Sequence, residues 1–374
     1  MKVLYYSRDY SPHDERFLTA LRRTSHEVFF LRLSPSGMVN LPAGVEEVRL
    51  ATHPDHTPAD LHNAARLLRK LVEELKPGVV HAGPLHGPAY VSALAGVAPL
   101  ASMSWGSDIL HEALINPQVK RRITRALAGS TVFICDCGAV AQEAGRYGFP
   151  AERMYLFPWG VDLAHFNPVG PAPLRERLGW RDNFVFISNR SFEPIYGVDV
   201  TLKAFLAAAR QHPEIRLLVY GKGSQEDELR KMVMESGMAE RVYFGGYVSR
   251  DELPTTYRSA DSFISASHCD GSSVSLMEAL ACGRPAIVSD IPGNLEWVED
   301  GRQGWVFKDG DCEALSAQIL AASRDGALTE KSLSARQQAE AKADWERNFN
   351  VLLEAYEAAI ELKTPAGLQT REQA

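Results

Sequence analysis

No run of apolar residues in this chain is long enough to span a bilayer as a helix, so a helical integral membrane protein is not expected. The opening residues, Met1-Lys2-Val3-Leu4-Tyr5-Tyr6-Ser7-Arg8-Asp9, become charged too early for a secretory leader. Cysteine is scarce, with five in 374 residues. An odd number without regular spacing points to reduced thiols and a cytoplasmic protein rather than a disulfide framework. Cys135-Asp136-Cys137 has no companion His/Cys cluster at zinc-ligand spacing and reads as the end of a core strand. There is no excess of positive charge: 40 Lys and Arg stand against 47 Asp and Glu, a net charge of −7. That balance argues against a general nucleic-acid binder. No internal repeat of solenoid period is present either.

What is present is the composition of a soluble enzyme, 45% hydrophobic and 23% charged, on a chain long enough for two domains. The charge is uneven. Residues 1–167 carry 17 Lys and Arg against 16 Asp and Glu, the remainder 23 against 31. In the first part, strand patterns at 2–7, 26–33, 45–50, 79–82, 100–105, 131–135 and 154–159 alternate with helical patterns at 13–23, 58–76, 88–96, 118–128 and 139–147. Pro168, Gly170, Pro171 and Pro173 then mark a linker. Beyond it the alternation restarts, with strands expected at 184–188, 215–220, 241–244 and 262–265 and helices at 198–210, 226–235 and 251–259. Helical patterns at 314–324 and 335–362 follow, and 364–374 reads as a disordered tail. Such alternation predicts α/β architecture: two doubly wound, Rossmann-like domains with parallel sheets covered on both faces.

The stretch richest in chemistry runs from His268 to Phe307. Asp270-Gly271-Ser272-Ser273 opens directly into a helical pattern, Val274 to Cys282, that contains Glu278. A Gly/Ser turn at a helix start leaves backbone N–H groups from Gly271 to Ser275 facing outward, a cradle for phosphate oxygens. Glu278 is placed to accept hydrogen bonds from the two hydroxyls of a ribose, with Asp270 across the mouth of the turn. Ser275-Leu276-Met277-Glu278 also fits a capping box, in which Glu278 only reaches back to the Ser275 N–H. Both readings stand on this stretch alone.

The residues that follow extend the pattern. Glu278-Ala279-Leu280-Ala281-Cys282-Gly283-Arg284-Pro285-Ala286 and Gly293…Glu296, with Asp270 eight positions before Glu278, resemble glycosyltransferase family 4. Gly160-Val161-Asp162-Leu163-Ala164-His165-Phe166-Asn167-Pro168 resembles the same family's domain junction. The resemblance covers nearly the whole chain. It implies the GT-B fold, two such domains facing across a cleft, with 1–167 as the acceptor side and 168–345 as the nucleotide-sugar side. A C-terminal helix, 346–363, is expected to cross back to the first domain. The implied activity is a retaining, metal-independent transfer of a sugar from a UDP- or GDP-sugar to a glycan, glycolipid or small-molecule acceptor. The nucleotide diphosphate sugar is then a donor substrate, and no other cofactor is expected.

The resemblance also assigns roles. Arg190 contacts the donor diphosphate, Glu278 the ribose and Asp270 the donor sugar, with Gly271, Ser272, Ser273, Val274 and Ser275 forming the cradle. Three positions depart from the family pattern. Asp270 stands where Glu is usual, Tyr196 where a Lys is expected, and Trp105 where a His is common. Lys222, in Gly221-Lys222-Gly223, is the candidate for the missing cation. Asp108 and His13 are the candidates for binding acceptor hydroxyls, while His81 reads equally as a core residue. Asp309-Gly310-Asp311 resembles a metal-binding acid pair but suits a turn and helix N-cap better, so no metal site is expected. Lys120, Arg121, Arg122 and Arg125 form the densest positive cluster, with a helical spacing that lets Arg121, Arg122 and Arg125 share a face. It reads either as a solvated helix face or as a weak peripheral contact with anionic lipid or a phosphorylated acceptor. Two further readings remain beside the transferase: a nucleotide-sugar 2-epimerase of the same fold, and a degenerate relative that only binds a nucleotide sugar.

Overall fold

Strands rich in Val, Ile, Phe and Tyr alternate with helices along the chain, and in the computed structural model they form two parallel sheets. Residues 1–50 and 57–362 are described, so the expected tail at 364–374 lies outside them. The first sheet contains β1 (Lys2–Ser7), β2 (Glu27–Arg32), β3 (Val45–Val48), β4 (Val79–Ala82), β5 (Leu100–Met103), β6 (Val132–Cys135) and β7 (Met154–Leu156), ordered β3-β2-β1-β4-β5-β6-β7. The second contains β8 (Phe184–Asn189), β9 (Ile215–Tyr220), β10 (Val242–Gly246), β11 (Ser262–Ser265), β12 (Ala286–Ser289) and β13 (Gly304–Phe307), ordered β10-β9-β8-β11-β12-β13.

The central strands are buried along their whole length, as a parallel sheet covered on both faces requires. On β8 the pleat sorts neighbours by face: Val185 and Ile187 pack in one core cluster and Phe186, between them, in another. In both sheets the strand order reverses beside the first strand laid down, between β1 and β4 and between β8 and β11. Crevices outside the carboxyl ends of strands open at such reversals, and ligands of open α/β sheets bind there.

The described chain divides into two compact units, one of Met1–Phe157 joined by residues 349–362, and one of Pro158–Asn348. The first boundary falls ten residues ahead of the expected 167. The reason is local: Val161 N donates to Ala343 O (2.6 Å), Trp345 N to Val161 O (3.1 Å), and Asn348 Nδ2 to Pro158 O (2.8 Å). Phe166 is buried in the core of the second unit. The helix expected at 335–362 is two helices, Leu328–Lys342 and Trp345–Glu361, broken at that strap. Within the first unit, the later helix brings Tyr356 Oη within 2.6 Å of His81 Nδ1. Burial pulls the His81 pKa down to about 3, so the ring is neutral and belongs to the core. Among the described residues no helix is long and apolar enough to cross a membrane.

Candidate functional site

Arg190 follows the last residue of β8, and Asp270 lies in the loop after β11, so the reversal in the second sheet brings together groups 80 positions apart. The Arg190 side chain is only 8% exposed. Its guanidinium makes a close ion pair through Nη2 with Asp270 Oδ2. Through Nη1 it donates to Ser273 Oγ (2.5 Å) and Ser275 Oγ (3.0 Å), at the start of the Val274–Ala281 helix. The face of the guanidinium lies 4.3 Å from the centre of the Tyr196 ring. The residue found in place of a second cation is thus a platform that stacks under the first.

Tyr196 closes a short 3₁₀ turn, Pro194–Tyr196, and His268 N donates to Ile195 O (2.9 Å), which ties that turn to the end of β11. Glu193 accepts from Ser224 N (2.8 Å) and Ser224 Oγ (2.5 Å), fastening the Gly221-Lys222-Gly223 turn to the Arg190 loop. These hydrogen bonds hold the Glu193 carboxyl below its ordinary pKa. Gly221, with φ +142°, approaches so closely that a Cβ there would stand 2.0 Å from Arg190 O. Lys222 is exposed at the tip of the turn. Gly293 serves similarly on the far side, where a Cβ would meet Gly271 O at 2.3 Å and Asp270 O at 2.6 Å. Any side chain at 293 would therefore push the acid loop out of place.

Ser273 is the N-cap of the Val274–Ala281 helix, its Oγ accepting from Leu276 N at 3.4 Å. Glu278 is therefore the fifth helical residue, and Ser275, already inside the helix, does not take the cap that the capping box requires. Its carboxylate Oε2 instead accepts from Tyr257 Oη (2.8 Å), while Tyr257 Oη accepts from Asn189 Nδ2 (2.9 Å). Burial first, and the Glu278 charge second, raise the Tyr257 pKa, so the phenol remains a donor. Ser272 Oγ accepts from Trp297 Nε1 (3.2 Å). Arg190, Asp270, Ser272, Ser273, Ser275 and Glu278 are thus joined into one region, with Tyr257, Asn189, Trp297 and Tyr196 as its supports. Sequence reading missed Tyr257, Asn189 and Trp297, because nothing local marks a partner 21 or 25 residues away.

The acids considered for metal go elsewhere. Asp309 Oδ1 pairs with His268 Nδ1 (2.6 Å), and Asp311 Oδ1 caps the Cys312–Ala322 helix by accepting from Ala314 N (2.9 Å). Among the described residues no group of three or more His, Cys, Asp or Glu is placed to hold a metal ion.

In the first unit, His13 and Trp105 meet edge-on with centroids 5.8 Å apart. The His13 pKa is lowered to about 4, by desolvation first and the nearby Arg16 charge second, so its imidazole is neutral. Asp108, expected to face an acceptor, is turned inward and is 1% exposed. Its carboxylate accepts from Ser104 Oγ (2.5 Å), Leu85 N (2.8 Å), Ile109 N (3.0 Å) and Trp105 N (3.2 Å). With four donors to satisfy it, Asp108 ties together the loops after β4 and β5 beside Trp105. Desolvation raises its pKa against those hydrogen bonds.

Two family models match in succession. Residues 15–165 match Glycosyltransferase Family 4, and residues 173–343 match Glycosyl transferases group 1. The D-inositol 3-phosphate glycosyltransferase of Pseudarthrobacter chlorophenolicus is 26% identical over 350 residues, 83% of this chain and 82% of the relative. A GDP-mannose-dependent alpha-(1-6)-phosphatidylinositol monomannoside mannosyltransferase of Mycolicibacterium smegmatis is 29% identical over 185 residues, 47% of this chain and 48% of the relative. Among solved structures, Anabaena HepE in complex with UDP and glucose superposes with a TM-score of 0.79, covering 96% of this chain and 99% of that one at 19% identity. At that identity the likeness establishes a shared fold.

Proposed function

Because the chain belongs to the group 1 glycosyltransferases of family 4, we propose that it moves a hexosyl group from a UDP- or GDP-sugar to a hydroxyl of a glycan, glycolipid or small-molecule acceptor, with retention at the anomeric carbon. The observation that carries this reading is the buried Arg190 guanidinium, held among Asp270, Ser273 and Ser275 at the strand-order reversal of the second sheet. A diphosphate entering there takes the guanidinium by bidentate hydrogen bonds and the N–H groups of the helix start by its remaining oxygens. Asp270, displaced from Arg190, is then free to accept from hydroxyls of the donor sugar. Glu278, oriented by Tyr257, accepts from the ribose hydroxyls.

In the transfer step the bond between the anomeric carbon and the diphosphate oxygen breaks as the acceptor oxygen attacks from the same face. The acceptor proton leaves with the diphosphate. Negative charge grows on the leaving oxygens, where a fixed cation and helix dipole lower the barrier most. Metal independence fits this arrangement, since Asp309 and Asp311 are engaged with His268 and a helix cap. The activities of the relatives support a phosphorylated or lipid-borne polyol acceptor, and the neighbour bound to UDP supports a uridine donor as readily as the GDP-dependent relative supports guanosine.

The test is a thermal-shift panel of UDP, GDP, ADP and their sugars, followed by product analysis. A ligand that binds only the folded state raises the melting temperature by mass action. One nucleoside diphosphate is expected to stabilise, and its sugar to release free diphosphate in the presence of acceptor. No shift with any nucleotide would refute the donor site. Return of an isomerised nucleotide sugar without free diphosphate would establish the 2-epimerase instead, and binding without turnover on any acceptor would leave a nucleotide-sugar-binding protein.

A further inference from the structure

Leu114 and Ile115 stand side by side with 72% and 69% of their surfaces exposed, the one adjacent pair among the large apolar residues exposed in the described chain. They occupy the short helix Ala113–Ile115, immediately ahead of the helix Pro117–Gly129. A lone exposed leucine is ordinary, but a protruding pair at a helix corner is surface that water solvates poorly.

The helix that follows has an unusual charge pattern. Its thirteen residues contain Lys120, Arg121, Arg122 and Arg125 and no acid, in a protein whose net charge is −7. Val119, Ile123, Ala126 and Leu127 are buried, which leaves Lys120, Arg121, Thr124 and Arg125 on the exposed side. Arg122 departs from the expected common face, being half-buried with its guanidinium 5.8 Å from the Tyr90 ring centre. Lys120 also lies in the first turn of the helix, where the dipole is positive and acids are the stabilising choice. Asn116 supplies the cap there, accepting from Gln118 N (2.9 Å) and Val119 N (3.4 Å). Lys120 therefore works against the dipole of its own helix, and Arg121 and Arg125, like charges four residues apart, work against each other, so a partner of opposite charge is what their placement suits. The nearest acid along the chain, Glu112, lies 3.6 Å from His86 Nε2.

A free polyanion would account for the cations but not for the apolar pair. An anionic bilayer accounts for both, since it offers lipid phosphates to the basic side chains and an acyl boundary to Leu114 and Ile115. We propose that this corner of the first unit docks reversibly on a membrane bearing anionic headgroups. Leu114 and Ile115 enter the headgroup boundary, and Lys120, Arg121 and Arg125 lie against the lipid phosphates. The site shares no residue with the Arg190 region, so docking and nucleotide binding are separable.

The experiment is co-sedimentation of the full chain with vesicles of equal phosphatidylglycerol and phosphatidylcholine, and with phosphatidylcholine alone, at low and high salt. Wild type is expected to pellet with the anionic vesicles at low salt, and neither with phosphatidylcholine nor at high salt. The exposed substitutions Arg121→Glu/Arg125→Glu should lower vesicle affinity roughly 25-fold or more, about fivefold for each cation removed. Leu114→Ser/Ile115→Ser should also weaken it, while both variants keep wild-type melting temperatures. Failure of wild type to pellet with anionic vesicles, equal pelleting with phosphatidylcholine, or undiminished pelleting of the charge-reversed variant would overturn the proposal.

Discussion

Asp270→Asn is the substitution whose outcome depends most directly on the geometry around Arg190. The Asp270 carboxylate is paired with the guanidinium that, on the function proposed above, takes the donor diphosphate. The side chains are 8% and 19% exposed, so solvent screens the pair only partly. A hydrogen bond to a charged group in such a setting contributes about 1.5–3 kcal/mol. Asparagine keeps the shape but removes the charge, so Arg190 loses its internal counterion and gains less from staying where it is. If half or more of that contribution is recovered on binding, free UDP or GDP should bind about 4- to 150-fold more tightly to the variant. Sugar transfer should fall nonetheless, because the amide no longer offers a charged acceptor to the donor sugar's hydroxyls. Titration calorimetry with the free diphosphate, beside steady-state transfer rates, measures the two effects separately. A variant that melts normally yet binds the diphosphate with unchanged or weaker affinity would refute the idea that Asp270 stands in for the ligand.

Tyr196→Leu removes the ring beneath Arg190 and should weaken diphosphate binding about 3- to 30-fold, whereas Tyr196→Phe should retain it; equal loss in both would assign the effect to the hydroxyl. Glu278→Gln should lower affinity for the free diphosphate more than tenfold by removing charged hydrogen bonds to the ribose. Normal binding with an early melt would make Glu278 merely the structural partner of Tyr257. Adding EDTA should leave the transfer rate unchanged, and a steep requirement for magnesium or manganese would return Asp309 and Asp311 to the site. Stability should fall on acidification below pH 6.5, because the unfolded chain protonates histidines that the folded chain keeps neutral, His81 down to about pH 3 and His13 to about pH 4. At pH 4.5 the His81 contribution alone is on the order of 3 kcal/mol. His81→Gln should flatten the melting-temperature profile between pH 6.5 and 4.5, and an unaltered slope would exclude His81 as its source.

Short-range pattern was enough to establish the alternating α/β architecture, the Gly/Ser turn opening into a helix, and Asp311 as a helix cap, because periodicity, capping and turn chemistry act over a few residues. The spacing of Asp270, Glu278 and Gly293 singled out one stretch of the second unit for the same reason, and the matching family models carry the resemblance across most of the chain. Tertiary structure decided the rest. Arg190 and Asp270 are neighbours because β11 inserts beside β8, a pairing that no local signal announces. Tyr196 looked like the loss of a charge until its ring was seen under the guanidinium. Glu278 lies two positions further into its helix than the capping box requires because Ser273, not Ser275, takes the cap, and its partner Tyr257 comes from another helix. Asp108 looked like a ligand for an acceptor, since an acid on a loop after a strand often is one. Four donors folded around it turn the same carboxylate into the core of its own loop. A residue's type and spacing limit the chemistry it can perform, but which neighbours satisfy its charge depends on strand order, and strand order is a property of the folded chain.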